Sequence, residues 1–251
     1  MKIFKRLLTV AQIVSCVLIV STAYAYSNSD LAAVQNGASC PYGDLSGADL
    51  SGMDLSGKDF RGANFAEARL HATKLNKADL TGANFRGALL VKAQLRNAVL
   101  QQADFSLASM QETDLTNAQA QGAKLWRTQL HKAQLLNAQM QNVQGDEVAC
   151  PDIKADFVDF TGANLPHSWF MGASMKNSIF YGSNLTGSYF KGADFSEANL
   201  ESAKLAGADM RGAILKKANL DKANLRRADL REAKLDFAIL GTANQEEVKW
   251  E

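Results

Sequence analysis

From Leu45 to Leu240 a Leu, Phe or Met stands at nearly every fifth residue, the exceptions being Ala120, Gly145, Cys150 and Ala155. Two places before each stands a small residue, usually Ala, as in Ala78-Asp79-Leu80-Thr81-Gly82-Ala83-Asn84-Phe85. A five-residue period fits neither the 3.6 of a helix nor the 2.0 of a strand. The chain is therefore organised by an internal repeat, and the repeat decides the fold class before any local propensity does. Gly, Ser, Thr and Asn cluster between the central residues, where they favour turns.

The frame divides the chain. A first block runs over 40–144 and a second over 157–240, with a weaker stretch at 145–156 between them. Reading the frame through that stretch pairs Val143 with Gly145, Val148 with Cys150 and Ile153 with Ala155. The large and small positions exchange sizes there, which roughly conserves volume. This favours a continuous coil with an irregular turn; the alternative is an excursion loop or hinge. Residues 26–39 lack the repeat and form an N-terminal cap, with a short helix over Asp30–Val34 and Ser29 as its N-cap, placed to cover the open first coil. Residues 241–251 form a polar tail that folds back so that Trp250 covers the last coil. Met53 and Lys58 occupy the small position, where a buried Lys is costly, so the first coils are expected to be loose. Ala120 leaves one central position underfilled.

Residues 1–25 follow a different plan. Lys2, Lys5 and Arg6 precede an apolar stretch from Leu7 to Val20, and Ala23-Tyr24-Ala25 is a small-x-small cleavage site. This is the plan of a secretory signal peptide, with no stable membrane span left after cleavage. The expected location is exported, periplasmic or secreted; the minor alternative is lipoprotein anchoring through Cys16 in Ile13-Val14-Ser15-Cys16. Loss of Lys2, Lys5 and Arg6 leaves 24 basic against 26 acidic residues, so no overall field draws the chain to nucleic acid. Cys40 and Cys150 remain. In a continuous stack they lie on opposite faces and about 26 Å apart along the axis, too far for a disulfide, so free buried thiols are expected.

Runs such as Ala48-Asp49-Leu50, Ala63-Asn64-Phe65, Ala163-Asn164-Leu165, Ala198-Asn199-Leu200 and Ala228-Asp229-Leu230 resemble the pentapeptide-repeat family, whose consensus is Ala-(Asp/Asn)-Leu-x-x. The resemblance implies an all-β chain, a right-handed quadrilateral β-helix with the central and small residues pointing inward. Four pentapeptides make each square coil. A tube about four residues on a side has no room for two large inward side chains per face, and alternating Ala with Leu or Phe fills it at native density. About ten coils stacked at about 4.8 Å give a rod of about 48 Å.

No catalytic constellation emerges. His71 and His131 fall on the same face but three coils apart, too far to share a metal, and no metal or cofactor is expected. Most Asp residues hold the motif position before the central Leu, where solvation and ladder bonding explain them. Asn184-Leu185-Thr186 matches a glycosylation sequon that such a repeat produces trivially. Seven cations between Lys216 and Lys234 are partly offset by Asp221, Asp229, Glu232 and Asp236, a mixed surface. Two outward aromatics stand apart: Trp169 and Tyr189 precede central residues 20 positions apart, with Met171 on the next face and Tyr181 on another. Outward aromatics suit protein contacts, and equally a surface ladder that steadies neighbouring coils. The sequence thus points to a non-enzymatic exported scaffold that binds an unidentified protein through Trp169, Tyr189, Met171 and Tyr181, with self-association left open. Two alternatives remain. The resemblance implies a DNA mimic that binds type II topoisomerases if the chain is cytosolic, which the leader and the near-neutral charge oppose. An enzyme is the weaker alternative.

Overall fold

The computed structural model describes residues 26–251; the leader proposed at 1–25, with Cys16, lies outside the described residues. The chain winds as a solenoid. Each residue just before a central position forms a parallel bridge with the residue 20 positions on, from Asp44↔Asn64 to Asp229↔Lys249. Four bridges fall in every 20 residues, one per pentapeptide. They are isolated bridges, because each side is too short to extend a strand before the next corner.

Two backbone bonds tie each side to its neighbours. The central N–H donates forward, as Leu45 to the Asn64 carbonyl at 2.8 Å, and the preceding N–H donates back, as Asn64 to the Gly43 carbonyl at 2.9 Å. A third closes most corners, as from the Ala83 N–H to the Leu80 carbonyl at 2.9 Å. The third residue of that corner turn adopts positive φ. Gly82 (66°) and Asn117 (57°) suit it, but the frame also forces Leu107 (64°) and Phe157 (59°) into it. Pro41, Pro151 and Pro166 all take the first corner position, where a turn prefers Pro.

The core is one column of inward side chains. Phe65, Phe85 and Phe105 stack in register with ring centroids 4.8 and 4.9 Å apart, and Phe160 stacks on Phe180 at 4.9 Å. Offset stacks of this kind add to the burial of the rings themselves. Beside the underfilled Ala120 lies a cavity of about 10 Å³ between Leu100, Leu125 and Met140.

The ladder crosses 145–156 through Gln129↔Ala149 and Gln134↔Lys154. Val143, Val148 and Ile153 are buried at the small positions. The exchange of sizes has a steric cause. A Cβ on Gly145 would come within 2.7 Å of Val148 Cγ2 and 3.1 Å of the Leu125 backbone, so the valine fills the space of the central side chain. The corner at Asp146–Glu147 is a bend without its own turn bond.

Both ends differ from expectation. The helix α1 runs Asn28–Gln35, and its N-cap is Ser27, not Ser29: the Ser27 hydroxyl accepts from the Asp30 N–H at 3.3 Å. The cap replaces a missing coil with side chains. Asp30 Oδ2 accepts from the Asp44 N–H at 2.9 Å, and Ser39 Oγ accepts from the Asp59 N–H at 3.0 Å. Lys58 is half-buried instead of buried, because at the first coil its ammonium swings out to the Gly37 carbonyl. The first coil is therefore bonded, not loose. Trp250 does not fold back. Lys249 bridges Asp229 and donates its N–H to the Ala228 carbonyl at 3.0 Å, so the tail keeps the frame and Trp250 stays 40% exposed.

Candidate interaction face

The frame alone decides which side chains face out. Residues before a central position, and the two corner residues after it, point to solvent. Trp169 and Tyr189 are bridge partners on adjacent coils and are each 44% exposed. Met171 stands exposed at the corner directly after Trp169. Tyr181 is also exposed, but it follows the side that carries Ile179 and so lies away from the Trp169 ladder. Three of the four expected residues are thus grouped and the fourth is apart.

The backbone under this face keeps the regular ladder. Ala149 precedes Trp169 in the ladder and Asp209 follows Tyr189. Trp169 donates to the Val148 carbonyl at 2.8 Å and accepts from Cys150 at 2.7 Å. Beside it, His167 Nδ1 meets Asp146 Oδ1 at 2.9 Å. Beyond Tyr189 the same side becomes ionic. Arg211 grips Asp209 through two nitrogens at 2.8 and 2.7 Å, and Arg231 grips Asp229 at 2.8 and 2.6 Å. The hydrogen bond from Arg231 holds the Asp229 carboxyl down at about 2. Lys217, Lys222 and Arg227 pair with Glu197, Glu201 and Glu247 at 3.2, 2.9 and 2.7 Å, so these cations form a mixed, internally paired surface.

Four more apolar side chains, Trp126, Leu136, Phe157 and Ile179, are exposed within the same few coils. The motif reading passed over them, although their outward frame positions were enough to flag them. A groove of about 390 Å³ runs beside Leu136, with Thr116, Lys154 and Asp156 in its walls.

No group of three or more His, Cys, Asp or Glu able to hold a metal occurs among the described residues. His71 and His131 are exposed. Cys40 and Cys150 are free and buried; burial pushes both thiols up, with the nearby Asp30 adding to the effect at Cys40. No helix among the described residues is long and apolar enough to cross a membrane.

The sequence profile of pentapeptide repeats matches residues 44–82, 78–117, 108–144, 178–216, 193–231 and 215–244. The chain belongs to the pentapeptide-repeat family. Its fold is accordingly a right-handed β-helix that serves as a repeat scaffold. The profile leaves 145–177 unmatched, the stretch that holds the irregular corner and Trp169. Among solved pentapeptide-repeat structures, the chain is similar to HetL, involved in heterocyst differentiation regulation in the cyanobacterium Nostoc. Identity is 27% over 89% of this chain and 96% of that one, with a TM-score of 0.35. It is similar to QnrB1, a plasmid-mediated fluoroquinolone resistance protein, at 20% identity over 76% and 88%, with a TM-score of 0.39. A thylakoid-lumen protein of Arabidopsis thaliana shares 34% identity over 39% and 66%, with a TM-score of 0.22. No curated protein matches the chain by sequence.

Proposed function

We propose that this pentapeptide-repeat protein is an exported, non-enzymatic scaffold that holds a protein partner against the side displaying Trp169 and Tyr189. The observation that carries the proposal is the ladder of two half-exposed aromatics, 44% each, held in register on adjacent coils. Large aromatics on a rigid backbone lose little conformational entropy on contact, which is why they dominate binding energy at interfaces. Met171 extends the patch, and Tyr181 is a separate contact at most. Four bridges in every 20 residues support a square cross-section, and the span of the ladder supports about ten coils. Export rests on the plan of residues 1–25.

The test is a pull-down with the protein taken from the exported fraction, run beside Trp169→Ala and Tyr189→Ala. The proposal expects a specific partner band that weakens at least about tenfold in each variant, as for truncation of an interface hot spot. Equal recovery with both variants would sink it. N-terminal sequencing tests export separately. A chain beginning at Tyr26 in the exported fraction supports it, and an intact Met1 in the cytosol overturns it.

A further inference from the structure

The solenoid has a run of weakened corners between 146 and 167, with a buried fastening across the first of them. Most small residues after a corner donate their N–H to the central residue before that corner, as Ser178 does to Met175 at 3.4 Å, but Val148, Ile153, Val158 and Ser168 make no such bond. Of these four corners only Asp146–Glu147 relaxes into a bend. The Val148 N–H turns instead to the hydroxyl of Ser168 on the next coil, at 3.2 Å. The chain of bonds continues from there. The Ser168 N–H donates to Ser188 Oγ at 3.1 Å, and the Ser188 hydroxyl donates to the Leu165 carbonyl at 3.0 Å. The Ser168 hydroxyl donates to the Pro166 carbonyl at 3.1 Å. Ser168 and Ser188 are both fully buried.

The cause lies in the exchange of sizes described above. Val148 reaches into the space of the central position at Gly145, and the corner between them spreads. A buried N–H left without a partner is costly. The serines therefore occupy inward positions where Ala would otherwise serve, on the two coils that follow the spread corner.

We propose that Ser168 and Ser188 form a latch that holds the Asp146–Glu147 corner shut, and that this corner is where the rod opens first. Each coil touches only its neighbours, so a solenoid can open at one place while the rest stays wound. The opening point lies under the side that carries Trp169, whose backbone is bonded to both Val148 and Cys150.

Cys150 reports on the corner directly. Its thiol is free and 3% exposed, two residues past Val148, and it reacts only when the corner opens. Cys40, at the start of the first block, is an internal reference. The experiment is native-state labelling of the full chain with a maleimide, with each cysteine followed by peptide mass. The variants are Ser168→Ala, Ser168→Thr and Ser178→Ala. Thr fits the site, since Thr128 sits fully buried at the equivalent position two coils earlier. Ser178→Ala removes a buried hydroxyl from a corner that keeps its own turn bond.

Ser168→Ala is expected to speed Cys150 labelling on the order of tenfold, the usual effect of orphaning one buried N–H. Ser168→Thr is expected to keep the slow rate, Ser178→Ala to stay within about twofold, and Cys40 to be unchanged throughout. The proposal is overturned if Ser168→Ala labels Cys150 no faster than Ser178→Ala does. It is overturned as well if Cys40 accelerates in step, which signals global unfolding, or if the Thr variant labels as fast as the Ala variant.

Discussion

Moving the large side chain back to its motif position is the sharpest test of how the core is packed. In 145–148 the central residue is Gly145 and the small position holds Val148. Gly145→Leu alone drives a side chain into Val148 Cγ2 and the Leu125 backbone, which a first carbon already approaches to 2.7 and 3.1 Å. Overpacking of that kind costs about 3 kcal/mol. Val148→Ala alone removes two buried methyl groups, about 0.8 kcal/mol each, and leaves a void, for a total of about 2 kcal/mol. If the two positions share one volume, the double variant restores the repeat motif and the costs do not add. Chemical denaturation followed by circular dichroism should place the double variant within about 2 kcal/mol of the parent, a coupling of about 3 kcal/mol. A double variant destabilised by the full sum, about 5 kcal/mol, would refute the shared-volume argument.

Phe85 stacks between Phe65 and Phe105, so Phe85→Ala should cost about 3–5 kcal/mol in the same assay, whereas the outward Gln102→Ala should cost less than about 0.5 kcal/mol. Ala120→Met adds three heavy atoms beside a cavity of only about 10 Å³, so it should overpack the column and cost about 1–3 kcal/mol; a gain in stability would show that the column has room to spare. Because Arg231 lowers the Asp229 carboxyl to about 2, its ion pair stabilises the fold fully above the unfolded value of about 3.9 and is lost as pH falls toward 2. Thermal melts between pH 5 and pH 2 should therefore fall less steeply for Arg231→Gln than for the parent.

The fold was legible because one physical constraint repeats: a narrow tube admits one large and one small inward side chain per side. That constraint exposed the frame even where the motif fails, since Val148 and Gly145 exchange sizes without changing the space they fill. The ends were harder to read. Ser27, Asp30, Ser39 and Lys58 cap the first coil through side-chain bonds to particular backbone groups, and no period marks such bonds. Trp250 looked like a lid because it lies in a polar tail, yet its number falls on the frame and the ladder simply continues to it. At the candidate face, the 20-residue spacing of Trp169 and Tyr189 was enough to pair them. The latch beneath was hidden, because a serine at a small inward position looks like any other small residue until the missing turn bond at Asp146–Glu147 is seen.

The central claim is that one frame runs unbroken through 145–156, so that the chain is a single rod. Glu67 and Arg227 lie at the same corner of the coil, 160 residues apart, and both are exposed. Spin labels at these positions, in a Cys40→Ser, Cys150→Ala background, read the axial distance by pulsed electron paramagnetic resonance. Eight coils at about 4.8 Å predict a single narrow distribution near 38 Å. A broad or two-peaked distribution, or a distance well below about 38 Å, would contradict the continuous rod and divide the protein into two stacks joined at 145–156.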